Sequence, residues 1–182
     1  MAKKQSQQVS LNVKETKTFL KHIIDNNRFL QQNNKPPVAV EVVGDSGIGK
    51  TSTIHCIAKS IYSRKNIHEA VLELNASDDR GLSIINNTIY PFCKKKTSCI
   101  DNESKNKTNS NYPTHKLVIL DEADSITPKA QNLLSNIISE FRKNTRIVFI
   151  CNDCTQIIES IQSRCMIIKY PRINSDNLYQ KI

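Results

Sequence analysis

The loop within residues 42–52, VVGDSGIGKTS, constrains the fold more than any other stretch of the chain. The apolar, β-branched run 37–43 precedes this loop and predicts a buried strand, whereas 50–62 has apolar residues at helical spacing. Glycine is favoured where the backbone needs a positive φ or must approach another group closely. The loop contains three of the chain's four glycines, which are Gly44, Gly47 and Gly49. We therefore expect a strand, a ligand-wrapping loop and a helix in succession.

The same loop matches the phosphate-binding pattern G-x-x-x-x-G-K-[ST]. In this context backbone N–H groups surround phosphates, and the N-terminus of the helix adds positive potential. The residues predicted to bind ATP here are Gly44, Asp45, Ser46, Gly47, Ile48, Gly49, Lys50, Thr51 and Ser52. We expect Lys50 to meet the β- and γ-phosphates and Thr51 to bind Mg²⁺. A chance match in a surface loop is the alternative, and the strand–loop–helix context disfavours it.

Composition sets the size and class of the protein. The chain has 182 residues, is 38% hydrophobic and is long enough to bury one sizeable core. Its N-terminus is polar, and no apolar run approaches the length of a membrane span, so we expect a soluble intracellular protein with no membrane partner. The formal net charge of +9 favours an acidic partner, most commonly nucleic acid.

The six cysteines raise the question of a disulfide or metal framework. Without a secretory signal, disulfides are not expected. Cys151 and Cys154 form a C-x-x-C that is compatible with half a zinc site, but Cys93 and Cys99 have a poor spacing for the other half. We therefore favour reduced thiols over metal ligands.

Predicted strands and helices alternate along the rest of the chain, which is typical of an α/β fold with a parallel sheet covered by helices on both faces. The predicted strands are 37–43, 70–75, 116–124, 146–153 and 165–170, and the predicted helices are 50–62, 82–92, 128–141 and 157–164. Pro91 is expected to break or end the second of these helices. A further helix is predicted within 11–32. The polar stretch 94–114 predicts an insertion, in which Lys94 to Lys96 either contact nucleic acid or are simply solvated.

Polar residues follow two of the predicted strands at the edge where ligands bind in such sheets. Asp121 and Glu122 end one strand, and we expect Asp121 to orient Mg²⁺ and Glu122 to polarise the attacking water. The alternative is a solvated acidic turn, in which Asp124 caps the next helix. Asn152 ends another strand and is expected to sense the γ-phosphate or to hold the attacking water, unless it is an ordinary turn residue. Arg164 is either a solvated charge or an arginine that acts on a neighbouring subunit.

Three segments together resemble the small subunits of replication factor C, the sliding-clamp loader. They are ELNASDDRG (73–81), LDEADSIT (120–127) and CNDCTQIIESIQSRC (151–165). The resemblance implies an AAA+ ATPase core at 38–172, after an N-terminal helical segment at 1–37 and before the start of a missing lid domain at 173–182. It implies that Lys50 and Thr51 act at the phosphates and Mg²⁺, and that Asp121 and Glu122 form the Walker B pair. It also makes Asn152 the sensor 1 residue and Arg164 the arginine finger.

The same resemblance implies the biological setting. Such subunits belong to a nuclear hetero-pentamer with other clamp-loader subunits, which uses ATP to open a sliding clamp and place it on primer–template DNA. The sequence departs from the family pattern at the phosphate loop, where Asp45, Ser46 and Ile48 replace two prolines and a threonine. It also lacks the basic residues that face DNA in the family, and at the matching positions are Asn86, Thr88, Tyr90, Ser135 and Asn136.

Two alternatives to an ATP-hydrolysing subunit remain at this point. One is a catalytically weak structural subunit that mainly supplies Arg164 to a neighbour. The other takes DEAD (121–124) as the signature of an RNA helicase, although the other helicase motifs are absent at their spacing. For the clamp-loader subunit, we expect the isolated chain to hydrolyse ATP weakly, because its arginine finger must come from another subunit.

Overall fold

The computed structural model describes residues 8–10, 39–62, 67–77, 81–95 and 115–170. These residues form a six-stranded, entirely parallel sheet with strand order β1-β6-β2-β5-β4-β3. The strands are β1 (Gln8–Ser10), β2 (Ala39–Val43), β3 (Val71–Asn75), β4 (Lys116–Asp121), β5 (Thr145–Cys151) and β6 (Cys165–Lys169). The helices are α1 (Lys50–Ile61), α2 (Ile67–Ala70), α3 (Leu82–Ile84), α4 (Tyr90–Lys94), α5 (Pro128–Glu140) and α6 (Glu159–Gln162).

The predicted five-stranded parallel core is confirmed, and a sixth strand extends it. β1 pairs in parallel with β6 and forms one edge of the sheet. This strand differs from the prediction of a helical segment at 1–37, which includes residues 8–10. The helix predicted within 11–32 and the segment 173–182 lie outside the described residues.

Helices cover both faces of the sheet because side chains of each strand alternate between two apolar layers. On one face, Val40 and Val42 of β2 pack with Ile54 and Ile57 of α1. On the other face, residues of β4, β5 and β6 pack with α5, α6 and the helical segment after α3, including Leu120, Phe149, Ile167, Ile85, Leu134 and Ile161. The central strands β2 and β5 are buried along their whole length, which explains their nearly continuous apolar sequences.

The chain stays helical through Pro91, contrary to the prediction that Pro91 breaks or ends the helix. A π-helical segment, Ile85–Ile89, joins α3 to α4, and Pro91 lies in the first turn of α4. The Tyr90 N–H donates to Ile85 O, a wider turn than that of an α-helix. A proline has no N–H and crowds the carbonyl four residues earlier, and such local widening is one way a helix accommodates it.

The first two residues of the predicted insertion, 94 and 95, belong to the described residues. Lys94 is the last residue of α4, and the carbonyl of Lys95 accepts a hydrogen bond from the buried Lys116 ammonium. The rest of the predicted insertion, 96–114, lies outside the described residues. None of the helices in the described ranges combines the length and the apolar character that crossing a membrane requires.

Candidate nucleotide-binding site

The glycine-rich loop leaves the end of β2 and enters α1 in the conformation that its sequence predicts. Gly47 and Gly49 have φ values of 78° and 89°, in the left-handed region that residues with a side chain rarely adopt. Gly49 is the N-cap of α1 and carries no capping side chain. The N–H groups of the first turn therefore have no side-chain cap and can donate to a ligand on the concave side of the loop. A loop of this form is suited to an anion such as a phosphate.

Gly44 is required for a different reason, which is close packing. A Cβ atom at this position would lie 2.5 Å from Ile48 Cδ1 and 2.9 Å from Tyr170 Cβ. The Tyr170 N–H also donates to Val43 O, so the chain after β6 is held against the beginning of the loop. Ile48 packs against the base of the loop. The side chain of Asp45 is exposed to solvent.

The Lys50 ammonium is the centre of the site. It donates to Gly44 O at 2.7 Å, to Asp45 O at 2.8 Å and to Asn152 Oδ1 at 2.9 Å. Lys50 is buried, with 7% of its surface exposed. This contact joins the loop to the end of β5, although 102 residues separate Lys50 from Asn152 in sequence.

Thr51 and Asp121 lie side by side beneath the loop. Thr51 Oγ1 donates to Asp121 Oδ2 at 2.8 Å, and Asp121 Oδ1 accepts from the Glu122 N–H at 2.9 Å. A hydroxyl and a carboxylate are the oxygen ligands that Mg²⁺ uses together with phosphate oxygens. These two side chains fit the predicted metal role.

Glu122 adopts an unusual backbone conformation at the end of β4. Its φ of 51° places it in the left-handed region, which is uncommon for a residue with a side chain and is found disproportionately at functional sites. The conformation turns the chain sharply into the 3₁₀ segment Ala123–Ser125. Glu122 is exposed and lines the same cleft as Lys50 and Asn152.

The cleft itself has a volume of about 240 Å³. It is lined by Ser46, Gly47, Gly49, Lys50, Thr51, Ser52, Asp121, Glu122, Ile150, Cys151 and Asn152. Most of the predicted site residues thus surround one space at the carboxyl ends of β2, β4 and β5. Asp45 contributes through its carbonyl oxygen, and Gly44 and Ile48 contribute to the frame of the loop.

Arg164 is the predicted residue that the structure does not bring to this cleft. It precedes β6, and Cys165 pairs with Ala39, the first residue of β2, whereas the loop follows the last residue of that strand. At about 3.3 Å per residue, the length of β2 separates Arg164 from the glycine-rich loop by roughly 13 Å along the strand direction. Arg164 is exposed, and its guanidinium donates to Ser139 Oγ at 3.2 Å and to Ser160 O.

The cysteines do not assemble into a metal centre within the described ranges, where no group of three or more potential ligands was found. Cys151 is buried and its Sγ lies 3.5 Å from Glu41 Oε1. Burial, with the nearby Glu41 carboxylate, raises the pKa of the Cys151 thiol. Cys154 is half-buried, and Cys99 lies outside the described residues.

Two polar residues near the site have roles that the sequence analysis did not predict. Asp124 does not cap α5, because Thr127 is the N-cap and its side chain accepts from the Ala130 N–H. Asp124 Oδ2 instead accepts from the Asn152 N–H at 3.2 Å. Gln131 is 1% exposed and links α5 to the segment after β5 by hydrogen bonds to Gln156 O and from the Ile158 N–H. The position of Asp124 just after Asp121 and Glu122 is the one sequence signal for its role, and no comparable signal indicates the role of Gln131.

Comparison with known proteins matches most of the chain to one family. Residues 20–174 match the family model described as DNA polymerase III, delta subunit. Replication factor C subunit 4 of Saccharomyces cerevisiae is 36% identical over 162 residues, which are 89% of this chain and 46% of that protein. Replication factor C subunit 5 of Homo sapiens is 42% identical over 138 residues, which are 76% of this chain and 36% of that protein. The chain thus spans less than half the length of these relatives.

Two solved structures are similar in fold at low sequence identity. Cdc6p from Pyrobaculum aerophilum has a TM-score of 0.61 and 13% identity, covering 99% of this chain and 50% of the other. The Aeropyrum pernix ORC1 protein, solved in complex with DNA, has a TM-score of 0.61 and 15% identity, covering 93% and 48%. At these identities the likeness concerns the fold.

Proposed function

The chain belongs to the family of replication factor C small subunits, and from this premise we propose that it is an ATP-binding and ATP-hydrolysing subunit of a clamp loader. Its AAA+ fold, predicted from the sequence, is confirmed by the structural neighbours. The AAA+ clamp-loader family is in general one of nucleotide-binding ATPases. The observation that best supports activity in this chain is the contact of Lys50 with both the loop carbonyls and Asn152.

In the proposed site, each residue has a separate task at the triphosphate. The loop N–H groups and Lys50 bind the phosphates, and Asn152, which already touches Lys50, lies where it can sense the γ-phosphate. Thr51 and Asp121 would hold Mg²⁺, which when bound neutralises charge that develops on the phosphates. Glu122, exposed in the cleft, polarises the attacking water.

Arg164 acts in this proposal on a neighbouring subunit. It is exposed at the amino ends of the strands, whereas the cleft lies at their carboxyl ends, so Arg164 is too far away to complete the site of its own chain. The proposed functional unit is therefore a hetero-pentamer with other clamp-loader subunits, in the nucleus. This complex opens the sliding clamp and places it on primer–template DNA during replication. The net charge of +9 supports a DNA partner, through phosphate contacts that salt would weaken.

The substitution Glu122→Gln tests the proposed hydrolysis directly. It keeps the size of the side chain but removes the base, so we expect ATP turnover at this chain's own site in the assembled complex to fall by about 10² or more. ATP affinity, measured by calorimetry, should stay close to that of the wild type. Glu69→Gln, at an exposed glutamate on the short helix α2, is the matched control. Unchanged turnover in Glu122→Gln would refute the catalytic assignment.

A second candidate function is a structural subunit that hydrolyses little ATP and mainly supplies Arg164. The exposure of Arg164 away from its own cleft favours it. The two candidates predict opposite rankings in the assembled complex. If the chain is mainly a donor of Arg164, then Arg164→Ala removes more ATPase activity than Lys50→Ala. If the chain is itself an active ATPase subunit, Lys50→Ala removes more ATPase activity than Arg164→Ala.

A further inference from the structure

The turn that follows the Walker B pair brings a third carboxylate, Asp124, to the end of β5. After Glu122, the chain winds into the 3₁₀ segment through hydrogen bonds from the Ser125 N–H to Glu122 O at 2.9 Å and from the Ile126 N–H to Ala123 O at 3.2 Å. This turn places Asp124 Oδ2 3.2 Å from the backbone nitrogen of Asn152. Asp124 is half-buried, and a carboxylate that accepts from a backbone N–H makes a stronger bond than a neutral acceptor.

We propose that Asp124 is a positioning residue, which holds the backbone of Asn152 so that the Asn152 amide oxygen stays on the Lys50 ammonium. This inference rests on the proposed ATP site. Asn152 lies just beyond the last residue of β5, where the strand ladder no longer fixes the backbone. Asp124 fixes it there, and Asn152 in turn accepts from Lys50 at 2.9 Å.

Other roles for Asp124 fit the structure less well. Capping of α5 is already provided by Thr127. Direct contact with the nucleotide is also disfavoured, because Asp121 and Glu122 line the cleft and Asp124 does not. Asp124 therefore acts on the site through Asn152.

The proposal predicts a specific kinetic pattern. The loop glycines and the two carbonyl contacts of Lys50 do not involve Asp124, so its loss should leave ATP affinity within about twofold. Turnover should fall about tenfold, the size expected for one lost hydrogen bond that orients a reacting group. Asp124→Asn keeps an acceptor oxygen at the same place and should restore most of the turnover.

The test uses two readouts on five variants. Exchange of the Asn152 amide proton, followed by NMR on the chain itself, reports the hydrogen bond without any need for ATPase activity. We expect at least tenfold faster exchange in Asp124→Ala and near wild-type exchange in Asp124→Asn. Asp153→Ala is the control, because Asp153 belongs to the same loop but accepts from Thr155. Asn152→Ala, alone and combined with Asp124→Ala, completes a double-mutant cycle for turnover of the assembled complex.

The outcomes separate this inference from the proposed function. If Asp124 acts through Asn152, then Asp124→Ala has little further effect on turnover in the Asn152→Ala background. Full additivity, or unchanged amide exchange in Asp124→Ala, overturns the positioning role. If the wild-type complex hydrolyses no ATP, the proposed function fails, and the exchange measurement still decides whether Asp124 holds Asn152.

Discussion

Replacing Glu41 by glutamine is expected to remove a decline in stability that the wild type shows as the pH rises from 4.5 to about 7. Glu41 has no exposed surface and lies in the central strand β2, between Phe149 of β5 and Ile167 of β6. Its Oε1 accepts from the Cys151 thiol at 3.5 Å, and its Oε2 has no hydrogen-bond partner among the described residues. A carboxyl group in such a place is much more easily buried as the neutral acid.

The size of the effect follows from the pKa. Burial raises the pKa of Glu41 from 4.5 to about 7, against the smaller lowering effects of the Cys151 hydrogen bond and the Lys169 ammonium. Between these values the folded state holds a proton that the unfolded state has lost, so the free energy of unfolding falls as pH rises. With about 1.4 kcal/mol for each pKa unit, the wild type loses about 3 kcal/mol across this window and no more above it.

Urea unfolding at a series of pH values across this window measures the effect. Glu41→Gln cannot ionise, so its stability should lack this decline, although its amide adds an offset that does not depend on pH. Glu159→Gln, at an exposed position on α6, is the control and should keep the wild-type pH profile. Parallel profiles for the wild type and Glu41→Gln would refute the account of Glu41 as a buried acid.

Two further substitutions test the packing around the site. Gly44→Ala should destabilise the fold by about 1–3 kcal/mol, because the new methyl group overlaps Tyr170. Gly81→Ala should be nearly neutral, because the atom nearest to its methyl group, Ser83 Oγ, lies at an ordinary contact distance of 3.7 Å, and comparable losses in both would contradict this reading. Gln131→Ala leaves three backbone groups without their side-chain partner and should cost on the order of 3 kcal/mol. Asn132→Ala, at an exposed position of the same helix, is its control in urea unfolding, and equal losses would show that the buried amide contributes nothing.

The sequence predicts the core of this fold well, because the central strands β2, β4 and β5 are nearly continuous apolar runs. The carboxyl ends of parallel strands lie at one edge of the sheet, so residues that follow these strands are predicted to meet there. The structure brings together at this edge Lys50, Thr51, Asp121, Glu122 and Asn152.

Features that depend on tertiary contacts were not predictable. β1 is three residues long, QVS, and becomes a strand only because β6 offers it an open edge. Glutamate is a residue type usually found at the protein surface, but Glu41 lies in a strand that is covered on both faces. The bond between Asp124 and Asn152 depends on the exact turn after Glu122, which residue spacing does not determine.

The central claim is that the altered phosphate loop binds ATP, and the most direct test is calorimetric titration of the chain with ATP and Mg²⁺. We expect saturable binding by the wild type and a loss of at least about tenfold in affinity for Lys50→Ala, which removes a charged contact to the phosphates. Absence of binding by the wild type, or equal binding by both proteins, would contradict the account.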